Sequence, residues 1–255
     1  MSDPVSPVPV LVHGFLGFVS IGPINYFRGV EAALRADGLA PLVPALPYGG
    51  SIAERANVLA AALKDHGGGP FVLIGHSMGG LDGRYLITNL DPDHRVKALV
   101  TVATPHLGAP AAARLLAGRG HLALAARTLC RPALTDLDPR TRLRDAIPDR
   151  PDVDYVSYAA RRPSAEIPRL IRWAAGPAEG ENDGVVAVDS ARWGTFRGFV
   201  RADHVEVLGW NLGANDPASQ RPIDHIPFWR QAVADAIRLV GGVRYDTGAA
   251  RTRPT

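Results

Sequence analysis

One cysteine, Cys130, stands among the 255 residues. A lone thiol excludes an intramolecular disulfide and a cysteine-based zinc site, and it is expected to act as a small buried apolar side chain. Long hydrophobic runs are missing too. No stretch reaches the roughly 18 uninterrupted apolar residues that a membrane helix needs, because the longest are broken by Gly, Pro or Arg. A transmembrane helix is therefore excluded. There is also no strong charge of one sign: 28 basic residues face 25 acidic ones, a formal charge of +3. That surplus is too small and too scattered for a nucleic-acid footprint. The amino end, Met1-Ser2-Asp3-Pro4, lacks the basic start and apolar run of a signal peptide. The chain as written is expected to be cytoplasmic, or secreted if it is a trimmed mature form.

What is present is a composition of 46% apolar and 21% charged residues, the balance of a globular protein able to bury a sizeable core. A single domain over residues 1–240 is expected, followed by a loose tail at 241–255 that is rich in Gly, Arg, Thr and Ala. Residues 8–12 form a short β-rich run that stops at His13-Gly14, as a buried strand opening into a loop would. Residues 25–37 carry Phe27, Val30, Ala33 and Leu34 at helical spacing and end at Gly38. A short strand is expected at 39–43. Ser51-Ile52-Ala53-Glu54 reads as a capping box, opening a helix that runs to about His66 and closes at Gly67-Gly68-Gly69.

The next strand is expected at 71–74, a helix at 78–90 and a Val-rich strand at 97–103. Alternating strands and helices imply a mostly parallel sheet covered on both faces. Between Gly108 and Arg150 the sequence turns Ala- and Leu-rich with Arg interruptions, more an inserted helical cap than sheet. Strands are expected again at 153–159, 170–174, 185–188 and 196–201, before a closing helix over 227–240.

Gly75-His76-Ser77-Met78-Gly79 matches G-x-S-x-G where a buried strand meets a helix. The glycines let the chain turn sharply and let the helix pass close to the strand. Such a turn exposes the Ser77 hydroxyl at the carboxyl edge of the sheet. The helix that follows aims its first amides at the same spot, where negative charge develops on an attacked ester carbonyl. The Met78 amide is thus one expected oxyanion donor. The loop His13-Gly14-Phe15, after the first strand, supplies the second through the Phe15 amide. His13 itself is expected to brace that loop, and His76 to point away from the reaction.

Val10-Leu11-Val12-His13-Gly14-Phe15-Leu16-Gly17, Asn25-Tyr26-Phe27, Gly75-His76-Ser77-Met78-Gly79-Gly80 and Thr104-Pro105-His106-Leu107-Gly108 together resemble the bacterial true lipases, the Pseudomonas and Burkholderia type of triacylglycerol lipase. The resemblance spans roughly residues 8 to 210. It implies an α/β-hydrolase fold, with a central mostly parallel sheet, helices on both faces and a helical cap or lid insertion at about 109–150. It also implies a serine ester hydrolase acting on acylglycerols or similar esters, with a lipid–water interface as a possible setting and no cofactor. An acyltransferase or a polyester hydrolase on the same residues, or a catalytically silent lipid- or protein-binding relative, would share much of this pattern.

A serine hydroxyl needs a histidine to take its proton and an acid to fix the histidine tautomer. In this fold they follow in the order Ser, acid, His. Asn182-Asp183-Gly184 is a turn sequence suited to projecting a carboxylate, so Asp183 is preferred and Asp189 and Asp216 are held in reserve. His204 and His225 both lie downstream and each follows an Asp. His204 is preferred because Asp203-His204-Val205-Glu206 resembles the family's histidine segment. His106 is expected to brace the loop behind the elbow.

The lipases in question commonly hold a calcium ion near that histidine, with one carboxylate ligand two residues after it. Glu206 has that place here, but no upstream partner carboxylate is recognisable, and the nearest matching stretch is Arg161-Arg162-Pro163. No metal site is predicted, and Glu206 is expected to be solvated or salt-bridged.

Overall fold

The computed structural model describes residues 6–17, 19–21, 24–141, 146–175, 180–213 and 223–240. The expected tail at 241–255 and the reserve acid Asp216 lie outside them. Five parallel strands form the sheet: β1 (Val8–Val12), then, past a two-residue pair β2 (Ser20–Ile21) and β3 (Ile24–Asn25), β4 (Phe71–His76), β5 (Val96–Val102), β6 (Asp154–Ala160) and β7 (Thr195–Val200). They lie side by side in the order β1-β4-β5-β6-β7.

Alternation along each strand builds two cores. Leu11, Val72, Ile74, Ala98 and Val100 face one side, against Val30 and Leu34 of α1 (Val30–Ala36) and Trp229, Ala232 and Val233 of the closing helix α8 (Ile226–Val240). Val10, Val12, Phe71, Leu73 and Leu99 face the other, against Ala56, Leu59 and Leu63 of α2 (Ile52–His66) and Leu86 and Ile87 of α3 (Met78–Asn89). Each Val, Leu, Ile or Phe among them is worth about 1.5–3 kcal/mol when fully buried. The capping box that starts α2 is complete: Ser51 Oγ accepts the Glu54 N–H while the Glu54 carboxylate accepts the Ser51 N–H.

Parallel register aligns the strand ends. Val12 pairs with Gly75, His76 with Val102, Val102 with Tyr158, and Ala160 with Val200. The loops that begin at His13, Ser77, Ala103, Arg161 and Arg201 therefore all open on one edge. Over the nucleophile helix lie α4 (Pro110–Ala117) and α5 (His121–Leu137), which bury Ala112, Cys130, Ala133 and Leu134 against Met78 and Leu81. The backbone leaves helical geometry at Cys130, ahead of Pro132, as proline's ring and missing N–H require.

Three expected strands take other forms. Residues 39–43 make only an isolated bridge from Val10 to Leu42, because Pro41 and Pro44 flank Leu42 and cannot donate to a ladder. Residues 170–174 belong to helix α6 (Arg169–Ala175). Residues 185–188 form a turn leading into the short helix α7 (Val188–Ala191), because the Val185 and Val186 amides are committed to a side chain described below.

Candidate active site

The Gly-x-Ser-x-Gly turn fits only with glycine at its flanks. A Cβ on Gly75 would lie 2.5 Å from the Gly80 nitrogen, and one on Gly79 would lie 2.3 Å from the Val12 carbonyl oxygen. With those contacts open, α3 comes down against β4 and β1. Ser77 is left at φ 54°, ψ −129°, a sparsely populated conformation that costs on the order of 1–3 kcal/mol. The Ser77 N–H donates to the Val102 carbonyl at 2.9 Å, tying the strained turn to β5. Ser77 as a whole is 8% exposed, so the residue is buried but not sealed from the edge.

His204 and Asp183 come to Ser77 from two later loops. His204 Nε2 lies 3.0 Å from Ser77 Oγ and accepts its proton, while His204 Nδ1 donates to Asp183 Oδ2 at 2.7 Å. The His204 backbone N–H also donates to the Asp183 carbonyl at 2.9 Å. Asp183 is wholly buried, and its other oxygen accepts the Val185 and Val186 amides at 2.9 and 2.7 Å. These amide bonds hold the carboxylate aimed at the imidazole. Burial disfavours the charged imidazole of His204, but the Asp183 carboxylate, by charge and hydrogen bond, outweighs it and raises the pKa above the ordinary value.

The other histidines cannot serve as a base beside Ser77. His225 bonds the Arg28 carbonyl at 2.6 Å and packs on Gly209, away from the serine. Asp189 is exposed and faces Arg192. The His106 ring lies flat on Trp193 while the His106 backbone N–H donates to the Ser190 carbonyl at 2.9 Å, bracing the loop after β5. His13 accepts the Leu46 N–H at 3.1 Å, and burial lowers its pKa to about 4, so it stays neutral.

His76 departs from expectation. Its ring does not turn away but lies 4.8 Å from the His204 ring, centroid to centroid. Tyr26 holds it there: the hydroxyl accepts the Gly14 N–H at 3.0 Å and bonds His76 Nδ1 at 2.8 Å. While accepting from Gly14, the hydroxyl still has its own proton to donate to the unprotonated Nδ1 of a neutral ring. Burial, and then the charge on His204, hold the His76 pKa well below the usual range. Nothing in the pentapeptide pattern marks this contact. Tyr26 lies in the Asn25-Tyr26-Phe27 segment, but its partners come from 12 and 50 residues away.

The oxyanion side follows from close packing at Gly14. A Cβ there would sit 2.8 Å from Ser77 Cβ, so the next amide, that of Phe15, is beside the nucleophile. Across the turn, Met78 opens α3 with its amide at the positive end of the helix dipole. Among the described residues neither amide has a hydrogen-bond partner, which leaves both available to an incoming oxygen. Arg55 fixes the loop from beneath, donating to the His13 carbonyl and to Asp82 of α3. Both side chains of that pair are fully buried, and burial pushes the Asp82 carboxyl up to about 7 against the pull of Arg55.

The chain is similar to known lipases and esterases in sequence and fold. The profile for the alpha/beta hydrolase fold matches residues 10–120. Triacylglycerol lipase 2 of Saccharomyces cerevisiae is 30% identical over 229 residues, covering 80% of this chain and 68% of that protein. A triacylglycerol lipase of Pseudomonas fragi is 32% identical over 110 residues, 42% of this chain and 37% of its own length. Among solved structures, a Bacillus licheniformis lipase in mature form superposes with a TM-score of 0.62 at 21% identity, covering 83% of this chain and 90% of its own. A metagenomic carboxyl esterase superposes with a TM-score of 0.63 at 23% identity, over 93% of this chain and 76% of its own.

Proposed function

The chain belongs to the α/β-hydrolase family, with triacylglycerol lipases among its homologues, and from that premise we propose that Ser77, His204 and Asp183 are the catalytic triad of an acylglycerol hydrolase. The chain is a serine ester hydrolase of the lipase and esterase kind. The observation that carries the residue assignment is the unbroken line Ser77 Oγ, His204 Nε2, His204 Nδ1, Asp183 Oδ2, with spacings of 3.0 and 2.7 Å.

In this reading Ser77 Oγ attacks the ester carbonyl carbon as His204 Nε2 takes its proton. The carbonyl oxygen gains negative charge between the Phe15 and Met78 amides. His204 then returns the proton to the leaving alcohol, leaving an acyl-serine. Water, deprotonated by the same imidazole, cleaves that intermediate and restores Ser77. The neutral rings of His13 and His76 leave His204 as the only neighbouring imidazole that charges during the cycle.

A lipid ester as substrate is supported by the surface beside the oxyanion loop. Leu16, Tyr48 and Leu129 are 56%, 54% and 61% exposed. They form one group, since the Leu16 amide bonds the Tyr48 carbonyl and a Cβ on the adjoining Gly49 would touch the Leu129 carbonyl. Large apolar side chains held in solvent at the mouth of a site suit an acyl chain or the lipid surface that carries it. The same surface, with the 32% identity to the Pseudomonas fragi lipase over 110 residues, supports kinship with the bacterial true lipases. The test is hydrolysis of p-nitrophenyl esters of increasing acyl length. A kcat/KM that rises from acetate to octanoate and beyond is expected, whereas activity confined to acetate and propionate would restrict the protein to short-chain esters.

A further inference from the structure

Glu206 stands two residues after His204, where the family resemblance calls for a calcium ligand. The residues present do not fit that ion. Calcium takes six to eight oxygens, with carboxylates prominent among them, but Glu206 faces a guanidinium. Arg162 donates from Nε to Glu206 Oε2 and from Nη2 to Glu206 Oε1, both at 2.7 Å. The Arg162 side chain is fully buried and that of Glu206 is 2% exposed. Arginine offers five N–H donors and no acceptor, so it cannot share a ligand shell with a metal. Among the described residues no group of three or more His, Cys, Asp and Glu could hold a metal ion.

We infer that Arg162 is the built-in cation of this site, a positioning residue that clamps the acid loop to the base loop in place of a metal ion. The inference rests on the triad reading above. Arg162 follows the end of β6 and reaches both loops at once. Its backbone N–H donates to the Asn182 carbonyl at 3.0 Å, and Asn182 precedes Asp183. Its fork holds Glu206, whose Oε2 also accepts the N–H of Asp203, the residue before His204, at 3.2 Å. Its remaining arm donates from Nη1 to Glu166 at 2.9 Å, and Glu166 in turn accepts from Arg201, where the histidine loop begins. Two arginines thus meet two glutamates around one buried fork. Burial draws the Arg162 pKa down, but the hydrogen bonds and charges of Glu206 and Glu166 more than offset it, so the cation is permanent.

Three loop segments, at 162, 182–183 and 203–206, meet at this one residue, the acid loop on its backbone N–H and the base loop on its guanidinium. None of them is continuous with the sheet ladder at these points. The Ser77 to His204 distance therefore depends on the clamp, and a displacement near 1 Å costs about 10²-fold in rate. A lysine would supply the charge without the planar fork that grips both Glu206 oxygens.

The experiment uses the full chain, with p-nitrophenyl ester turnover that Ser77→Ala abolishes. That control fails if the triad reading fails, and so separates the two claims. In the wild type, EDTA is expected to leave kcat unchanged and added calcium to leave the melting temperature unchanged. Arg162→Ala is expected to lose about 10²-fold in kcat with little change in KM, and millimolar guanidinium ion to restore part of it. Should Arg162→Ala fail to fold, Arg162→Met/Glu206→Leu replaces the pair by apolar side chains, a change a fold commonly tolerates. It is expected to fold by circular dichroism and to lose kcat to a similar degree, with no response to guanidinium. Chelator loss of wild-type activity reversed by calcium would overturn the inference. So would wild-type kcat in either variant, or a folded Arg162→Ala that guanidinium does not restore.

Discussion

The two halves of the site each rest on a buried arginine–carboxylate pair, but the pairs sit in different surroundings. Behind the nucleophile, Arg55 and Asp82 join α2 to α3 beneath the loop of Phe15. There the backbone already determines position: β1, β4 and β5 are in register, Gly75 and Gly79 admit the helix, and the Ser77 N–H is tied to Val102. Behind the acid and base, Arg162 and Glu206 join segments with no such ladder between them. The same type of ion pair therefore has two consequences. In the first half it chiefly affects stability, because the geometry is held by packed strands and glycines. In the second it affects geometry, because the loops are held by separate bonds, such as that from the His204 N–H to the Asp183 carbonyl, rather than by a ladder of paired strands.

The largest effect that would sharpen this contrast is expected at Asp183. Asp183→Asn preserves shape but lets the His204 ring adopt the wrong tautomer, so kcat should fall by about 10⁴-fold. The pH profile adds a sign. The neutral imidazole is the working form, and its pKa is raised chiefly by Asp183 against the effect of burial. In the wild type the acid limb of kcat/KM should thus lie above the ordinary histidine value of about 6.5. In the variant the residual activity should carry its acid limb at lower pH. A variant with near-wild-type kcat would move the acid elsewhere.

A smaller effect, of another kind, is expected at Arg55. Arg55→Met leaves Asp82 buried without its partner, which costs about 3–5 kcal/mol, measurable as a shift of the urea midpoint. Adding Asp82→Leu should recover most of that loss, since a well-packed apolar pair often equals a buried ion pair. The folded fraction of the single variant should keep far more of its kcat than Arg162→Ala does. Equal losses of kcat in the two variants would abolish the distinction between the halves.

The same contrast explains how much could be read in the sequence. The elbow is contiguous, so strand, Gly-x-Ser-x-Gly and helix appear together within residues 71–89, and the capping box of α2 is equally local. The acid and base side is assembled from distant pieces. Val185 and Val186 are β-branched and suggest a strand, but their amides bind Asp183 Oδ1, a demand that local pattern does not reveal. Over the seven residues of α6, Ile171 is buried and Arg172 exposed, and a run so short does not separate a period of 2 from one of 3.6. Arg162 and Glu206 are 44 residues apart, and the sequence showed only that a carboxylate partner for Glu206 was missing. His76 was misplaced for the same reason, because Tyr26, which turns its ring toward His204, comes from another part of the chain.

The central claim is that Ser77 is the nucleophile and that His204, rather than His225, activates it. Its most direct test is covalent labelling with a fluorophosphonate probe, followed by peptide mass mapping of the wild type, His204→Ala and His225→Ala, each checked for folding by circular dichroism. The account predicts one labelled peptide containing Ser77 in the wild type, loss of rapid labelling in His204→Ala, and labelling retained in His225→Ala, whose imidazole bonds the Arg28 carbonyl. Label on another residue with Ser77 unmodified, or rapid labelling that survives His204→Ala and vanishes in a folded His225→Ala, would contradict it.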